Sequence, residues 1–371
     1  MQSQLAPAHY LDADIFAREQ IHIFRKLWIF VGLQGLLSEP DAFLTRTIGG
    51  IPLVVQNCAG VLKAFVNQCV HRQMPLKMEA YGQGRLACKY HGWVYDTEGA
   101  VKTIPHADSL YRYPETVRAG LCLRQFAVQT VGQLVFVNLD DTPLPITEQF
   151  SPALLAQLAG ISAHFSPQVL HAPMPVRYNW KLNFENVLDF NHVAYVHPST
   201  FRPLLAPSAM PIYAAVPNVA ELASTRLVDL SFSAQMPMAI TPMPWHAMVD
   251  RYMGAAQPDS YYNFFLYPNV NFISVGGLVF LVQQFNPLAS DRTEVAFHLM
   301  VAREQQRISA LPAILWGHLK GETQVFEEDR VLLEALQAHL QAGGARAEHG
   351  AYEAALQRVA AVYLRLLGDA E

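Results

Sequence analysis

The sequence predicts an α+β protein of two domains, a small all-β one and a larger one that mixes helices with strands. Three observations carry this. The 371 residues suffice for two domains, or three, at roughly 150 residues each. Residues 43–139 form short β-prone runs punctuated by turns, whereas the region beyond combines helical spacing with further strand-like runs. The chain is 51% hydrophobic and only 15% charged, against about 25% charged in a typical domain. That supplies a large apolar core and excludes a disordered chain, a charge-laced coiled coil and a small disulfide scaffold. A formal net charge of −5 provides no basic field for a nucleic acid or an anionic membrane.

The elements follow in order. Residues 11–31 read as a helix, with Ile15, Ile21, Ile23, Phe24, Leu27 and Trp28 at spacings near three and four. Runs at 51–55 and 61–66 flank Asn57-Cys58-Ala59-Gly60, a hairpin signal, and runs at 121–128 and 134–139 flank a turn at Gly132. Residues 140–149, with Pro143 and Pro145, read as a linker. Then come a helix over 180–196, strands over 261–267, 271–285 and 294–301, and a helix over 303–341. An amphipathic C-terminal helix carries Tyr352, Leu356, Val359, Tyr363 and Leu366. The proline-rich stretch 203–244 reads as long covering loops. The N-terminus has no continuous apolar segment of the secretory kind, and no run reaches the roughly 18 apolar residues of a membrane span. A soluble, cytoplasmic protein is expected. Four cysteines do not make a secreted disulfide framework.

Two of those cysteines stand beside histidines, as Cys69-Val70-His71 and Cys88-Lys89-Tyr90-His91. Each pair offers a thiolate and an imidazole from one loop. Two metals suit the set: tetrahedral zinc, or a [2Fe–2S] cluster in which two histidines replace two cysteines on one iron. Zinc fingers commonly pair like with like, whereas here each loop gives one of each, which favours the cluster. Cys58 and Cys122 lie in or beside strand runs and read as buried small hydrophobes.

A second constellation runs through Asn179-Trp180-Lys181-Leu182-Asn183-Phe184-Glu185-Asn186 to Asp189, His192 and His197. On a helix Glu185, Asp189, His192 and Val196 share one face, and burial of such groups needs pairing or a metal. His197 falls off that face unless the helix distorts near Tyr195 or ends before Pro198. A polar face turned to solvent is the competing reading. Two histidines also want a carboxylate, as in the 2-His-1-carboxylate sites of non-haem iron oxygenases. Asp329 is the candidate, as the one charge on an inner stripe of Val325, Leu332, Leu333, Leu336 and Leu340. Glu327 and Glu328 are expected to point towards Arg330 or water.

The cluster-type motif, followed by N-W-K-L-x₂-E-N-x₂-D-x₂-H-x₄-H, resembles the α subunit of Rieske non-haem iron ring-hydroxylating oxygenases over the whole chain. The resemblance implies a Rieske [2Fe–2S] domain over 41–144 and a catalytic mononuclear-iron domain over 1–40 and 145–371, the latter with a helix-grip-like antiparallel sheet flanked by helices. It implies that Cys69 and Cys88 hold one cluster iron and His71 and His91 the other, and that His192, His197 and Asp329 bind Fe(II). Asp189 is implied as a catalytic link between a mononuclear-iron histidine and His91 of the partner subunit, within an α3 homotrimer. The ligand loops lack the extra cysteines that bridge the cluster of respiratory Rieske proteins.

Implied too are O₂ and a small-molecule substrate, apolar and aromatic, with O- or N-demethylation as the alternative, and an electron-transfer protein as a remote one. No G-x-G-x-x-G unit follows a strand, so electrons are expected from a separate NAD(P)H-dependent reductase, with or without a ferredoxin. Lys77, Arg85 and Lys89 are candidates for a basic landing patch. Expected cavity residues are Leu204, Met210, Met236, Met238, Trp245, Phe264, Phe272, Phe280 and Phe285, with Arg202, Arg226, His246 or Arg251 to hold a carboxylate.

Overall fold

The computed structural model describes residues 1–206, 226–237, 239, 260–275, 279–303 and 309–369. They form two compact units: Phe24–Leu144, and Met1–Ile23 with Pro145–Glu371.

In the first unit, strands β1 (Ile29–Leu33), β2 (Ala42–Ile48), β3 (Ile51–Cys58), β4 (Val61–Val66), β5 (Tyr81–Gln83), β8 (Gln125–Val131) and β9 (Leu134–Asn138) make one antiparallel sheet, in the order β1-β9-β8-β4-β3-β2-β5. Two short strands, β6 (Val94–Tyr95) and β7 (Val101–Thr103), pair separately. The β3–β4 turn forms where expected. Ala59 and Gly60 both take positive φ, 54° and 94°, the conformation a two-residue hairpin turn requires, and the Gly60 N–H donates to Asn57 Oδ1 at 2.7 Å. The expected helix over 11–31 ends early. Helices Ala8–Leu11 and Ala13–Glu19 and a π-helical turn Gln20–Phe24 give way to β1, whose five residues are all buried. A β-branched and aromatic run buried on both faces is served by a strand rather than by an amphipathic helix.

The second unit holds a six-stranded antiparallel sheet of β10 (Leu170–Val176), β11 (Phe232–Pro237), β12 (Ser260–Leu266), β13 (Val270–Val275), β14 (Val279–Ala289) and β15 (Arg292–Val301), in the order β10-β15-β14-β13-β12-β11. The run expected as one strand over 271–285 is two; of the edges, β11 comes from the stretch read as loops and β10 from sequence to which no element was assigned. β10 carries Pro173 and Pro175, tolerated because an edge strand needs only half of its backbone donors. The linker is shorter than expected, since Ile146–Gln149 is helical with Ile146 and Gln149 buried.

Strand alternation gives this sheet two different faces. Phe264, Phe272 and Phe280 stack along one face, with centroids 5.5 and 6.0 Å apart, and Phe165 joins them at 4.9 Å from Phe280. The opposite face takes the helix Trp180–Leu188 through Phe184, whose ring lies 6.0 Å from that of Phe265. Under this helix lies a buried ion pair. Lys181 donates to Glu19, and neither side chain is exposed. Glu19 also accepts from Trp180 Nε1 at 2.8 Å and the Tyr363 hydroxyl at 2.5 Å. Such a pair survives burial because every charge in it is matched and hydrogen-bonded. A long helix, Leu311–Gln341, and a terminal one, Ala354–Leu367, complete the unit. Among the described residues no helix is long and apolar enough to cross a membrane.

Candidate metal centres

Two matching turns present the cysteine–histidine pairs. In the first, the Gln73 N–H donates to Cys69 O and the Cys69 N–H to Met74 O, both at 2.8 Å; in the second, Gly92 donates to Cys88 O at 3.0 Å and Cys88 to Trp93 O at 2.8 Å. Each turn closes on a left-handed residue four positions after its cysteine, Gln73 at φ 59° and Gly92 at φ 72°. The turns therefore bring four side chains together. Cys69 and Cys88 are buried, the rings of His71 and His91 lie 4.6 Å apart, and His71 stacks on Trp93 at 4.9 Å. Burial pushes the Cys69 thiol up, and hydrogen bonds from the Tyr95 hydroxyl, at 3.0 Å, and the His71 backbone pull against it. His71 Nδ1 is buried with no hydrogen-bond partner. Two inner thiols, two adjacent imidazoles and an orphaned ring nitrogen fit a cluster of mixed ligation.

Two expectations about this unit change. Lys77 is buried and donates to the Gly84 and Arg85 carbonyls at 2.5 and 2.9 Å, which takes it out of the expected landing patch, whereas Arg85 and Lys89 are exposed and Lys89 pairs with Glu79 at 3.1 Å. Cys58 is buried as expected, but Cys122 is exposed.

The second centre depends on a helix that breaks. Asn179 caps the helix Trp180–Leu188 by accepting from the Lys181 N–H at 3.0 Å, and the helix stops at Asp189, whose backbone is extended. Asp189 Oδ1 accepts from the Asn191 N–H at 2.8 Å, a local turn that competes with helix. His192 and His197 then flank the single turn Val193–Val196. The break lies earlier than the expected distortion near Tyr195. It removes Glu185 from the shared face, and Glu185 instead accepts from the Tyr10 hydroxyl at 2.6 Å. The long helix supplies Asp329, and ligand atoms of His192, His197 and Asp329 all lie within 4.8 Å of one another.

The orientation of the rings is informative. His197 Nε2 lies 3.0 Å and His192 Nε2 3.7 Å from Asp329 Oδ1. Donors each about 2.1 Å from one ion stand roughly 3 Å apart at right angles, so the set fits one first-row metal with positions to spare. The outer nitrogens face carboxylates. His197 Nδ1 is 2.7 Å from Glu328 Oε2, and His192 Nδ1 is 3.8 Å from Asp189 Oδ2, too long for a hydrogen bond. Burial alone would lower the His197 imidazole, but Asp329 and then Glu328 raise it overall. Glu328 also accepts from Thr200 Oγ1 at 2.6 Å.

The expectation that Glu328 points towards Arg330 or water is thus corrected. Only Glu327 does so, accepting from Arg330 Nε at 2.7 Å. The inner stripe shifts as well: Leu332 and Leu336 are exposed, whereas Phe326, Leu333 and Gln337 are buried.

A cavity of about 660 Å³ opens on the three ligands. Its sheet wall is polar, with Tyr261, Asn263, Asn271 and Gln283 beside Ile273 and Val275, and the long helix contributes Ile314, His318 and Glu322. Of the described cavity candidates only Leu204 lines it. Phe264, Phe272 and Phe280 lie on the other sheet face, Met236 and Phe285 are buried elsewhere, and Arg202 and Arg226 are not lining residues. Met210, Met238, Trp245, His246 and Arg251 lie outside the described residues.

Comparison with known proteins follows this geometry. The profile of the ring hydroxylating alpha subunit (catalytic domain) family matches residues 159–369, and that of the Rieske [2Fe-2S] domain matches 27–114. The oxygenase subunit of glycine betaine monooxygenase from Chromohalobacter salexigens is 30% identical over 212 residues, 55% of this chain and 46% of that protein. The chain thus spans about half the length of the curated relatives it matches. The quaternary ammonium Rieske monooxygenase CntA, with an inhibitor, superposes with a TM-score of 0.77 at 18% identity, over 97% of this chain and 95% of that one. Naphthalene 1,2-dioxygenase with indole gives 0.74 at 19% identity, over 100% and 94%. At such identities the two structures establish a shared fold. The family profiles bring with them a [2Fe–2S] cluster and a mononuclear iron. With most of its second unit matched, the chain belongs to the ring-hydroxylating α-subunit family of Rieske oxygenases.

Proposed function

We propose that this chain is the terminal oxygenase of a multicomponent system. Cys69 and Cys88 would hold one cluster iron, His71 and His91 the other, and His192, His197 and Asp329 the mononuclear iron. The observation that carries the reading is the ring arrangement, with both Nε2 atoms turned to Asp329 and both Nδ1 atoms towards carboxylates. When bound, the cluster would supply electrons and the iron the activation of O₂.

The protein's own groups do the rest. Glu328 holds the Nδ1 proton of His197 and so keeps Nε2 free as a donor. Val193, Phe201, Ile273 and Val325 exclude water around the reacting carbon. Asn263, Asn271 and Gln283 orient the polar end of a substrate. A separate NAD(P)H-dependent reductase, with or without a ferredoxin, would deliver electrons, and in a trimer Asp189 would link His192 to His91 of the partner subunit.

For substrate we favour an N-methylated ammonium compound over an aromatic hydrocarbon. Among the described residues the cavity lining includes Asp189, Glu322 and Asp329 but neither lysine nor arginine, and both glycine betaine monooxygenase and CntA act in name on quaternary ammonium chemistry. Hydroxylation of one N-methyl group with O₂, two electrons and two protons gives water and a carbinolamine that releases formaldehyde. Phe201, Tyr261 and Ile314 also suit an aromatic ring, the second reading. Metal and product analysis tests both. We expect three irons per chain, two in the cluster and one in the triad, and formaldehyde with the demethylated amine from choline-type compounds. Two irons per chain would reduce the protein to an electron carrier, and ring-hydroxylated products alone would favour the second reading.

A further inference from the structure

Glu322 stands seven residues before Asp329 on the long helix, on a stripe with His318 and Val325 whose offsets of four, three and four keep one face to the cavity. At about 1.5 Å per residue its Cα lies roughly 10 Å along the axis from that of Asp329, a separation that one ammonium group with its methyls can bridge. Among the described residues no cation or hydrogen-bond donor meets it, and burial pushes its carboxyl up to about 7 with nothing opposing the shift. Glu322 is half-buried on the cavity wall; a carboxylate partly withdrawn from water without a partner is disfavoured there, and a cationic ligand would offset that cost. The surroundings suit one. The negative charge of Glu322 reaches the Tyr261 hydroxyl, raising it after burial has done so, and Asn263 bonds that hydroxyl. Tyr261 and Phe201 form an aromatic pair with centroids 5.1 Å apart, and ring faces attract cations. Asn271 Oδ1 is a buried acceptor with no partner. Beside Glu322, Gly317 and Gly321 line the cavity, and a Cβ added at either would meet nothing within 4 Å, so space is left open.

We propose that Glu322 is the specificity-determining anion of this cavity, holding a substrate's ammonium group between itself and the metal ligands, against Tyr261 and Phe201. This rests on the reading of the cavity as the substrate chamber.

The test is equilibrium binding to the anaerobic holoenzyme of choline and phenyltrimethylammonium, each compared with its neutral isostere, 3,3-dimethylbutan-1-ol and tert-butylbenzene. Wild type should bind each cation at least about tenfold more tightly than its isostere, or about 1.4 kcal/mol. Glu322→Gln should bring that ratio below about twofold while leaving the isosteres' affinities unchanged, and formaldehyde release should show KM rising far more than kcat falls. If E322Q does not fold, Glu322→Asp, which withdraws the charge by one methylene, should show a reduced ratio with unchanged isostere binding. A cation preference intact in these variants overturns the role of Glu322 and leaves the ammonium reading standing. Wild type with no preference overturns both.

Discussion

Replacing Glu328 with alanine strips His197 of the acceptor on its outer nitrogen, 2.7 Å away, while leaving all three metal ligands in the chain. His197 is only 1% exposed with Glu328 in place. An unpaired buried N–H costs about 1–3 kcal/mol, and loss of such a support commonly weakens metal affinity about 10- to 100-fold. The two routes agree near 2 kcal/mol, or roughly thirtyfold. Glu328→Gln keeps an acceptor but loses its charge, and since charge-assisted bonds are about twice as strong as neutral ones, about half that energy should go. The assay is anaerobic titration of Fe(II) against a competing chelator, with the visible cluster spectrum as internal control. Affinity in Glu328→Ala within twofold of wild type, with the cluster intact, would refute the inference that this carboxylate orients His197.

Asp189→Asn should leave the cluster spectrum, iron occupancy and oligomeric size normal but lower turnover at least about a hundredfold, and the reduced cluster should fail to reoxidise with substrate and O₂; rapid reoxidation would show that Asp189 merely shapes the turn to Asn191. Lys181→Met leaves Glu19 charged and buried, so thermal and urea unfolding should register a loss of about 3–5 kcal/mol, much of it recovered by adding Glu19→Gln; a loss no larger than a surface substitution's would contradict the burial described. Glu185, its carboxyl raised to about 7 by burial, binds its proton more tightly folded than unfolded. Its contribution to stability is therefore fully present below the ordinary value of 4.5 and lost as pH rises through 7, by at most about 3 kcal/mol. Glu185→Gln should flatten melting temperature against pH between 5 and 8, and an unchanged slope would rule Glu185 out as its source.

What could be read before folding was what is local. Cys69-Val70-His71 and Cys88-Lys89-Tyr90-His91 announce a metal site because ligand type and spacing are set within a few residues, and the Ala59-Gly60 turn is set by its own backbone. Asp329 stood out as a lone acid among apolar neighbours. Glu328 did not, because its partner His197 lies 131 positions away and nothing near it in sequence signals the contact. The break at Asp189 was displaced for a related reason: a side-chain turn overrides a continuing helical period. Phe264, Phe272 and Phe280, assigned to the cavity, failed on phase. In a strand buried on both sides, alternation shows that two faces exist but not which one meets the substrate.

That alternation also governs how this protein can change. Along β12, β13 and β14 the cavity receives Asn263, Asn271 and Gln283, and the intervening positions send Phe264, Phe272 and Phe280 into packed rings. A smaller side chain at a phenylalanine position forfeits about 3–5 kcal/mol, enough to threaten a marginally stable fold. A substitution at a cavity position meets open volume and alters mainly which molecules fit. Drift in substrate preference and conservation of stability can therefore proceed side by side on the same three strands, on alternate residues, with little interference between them.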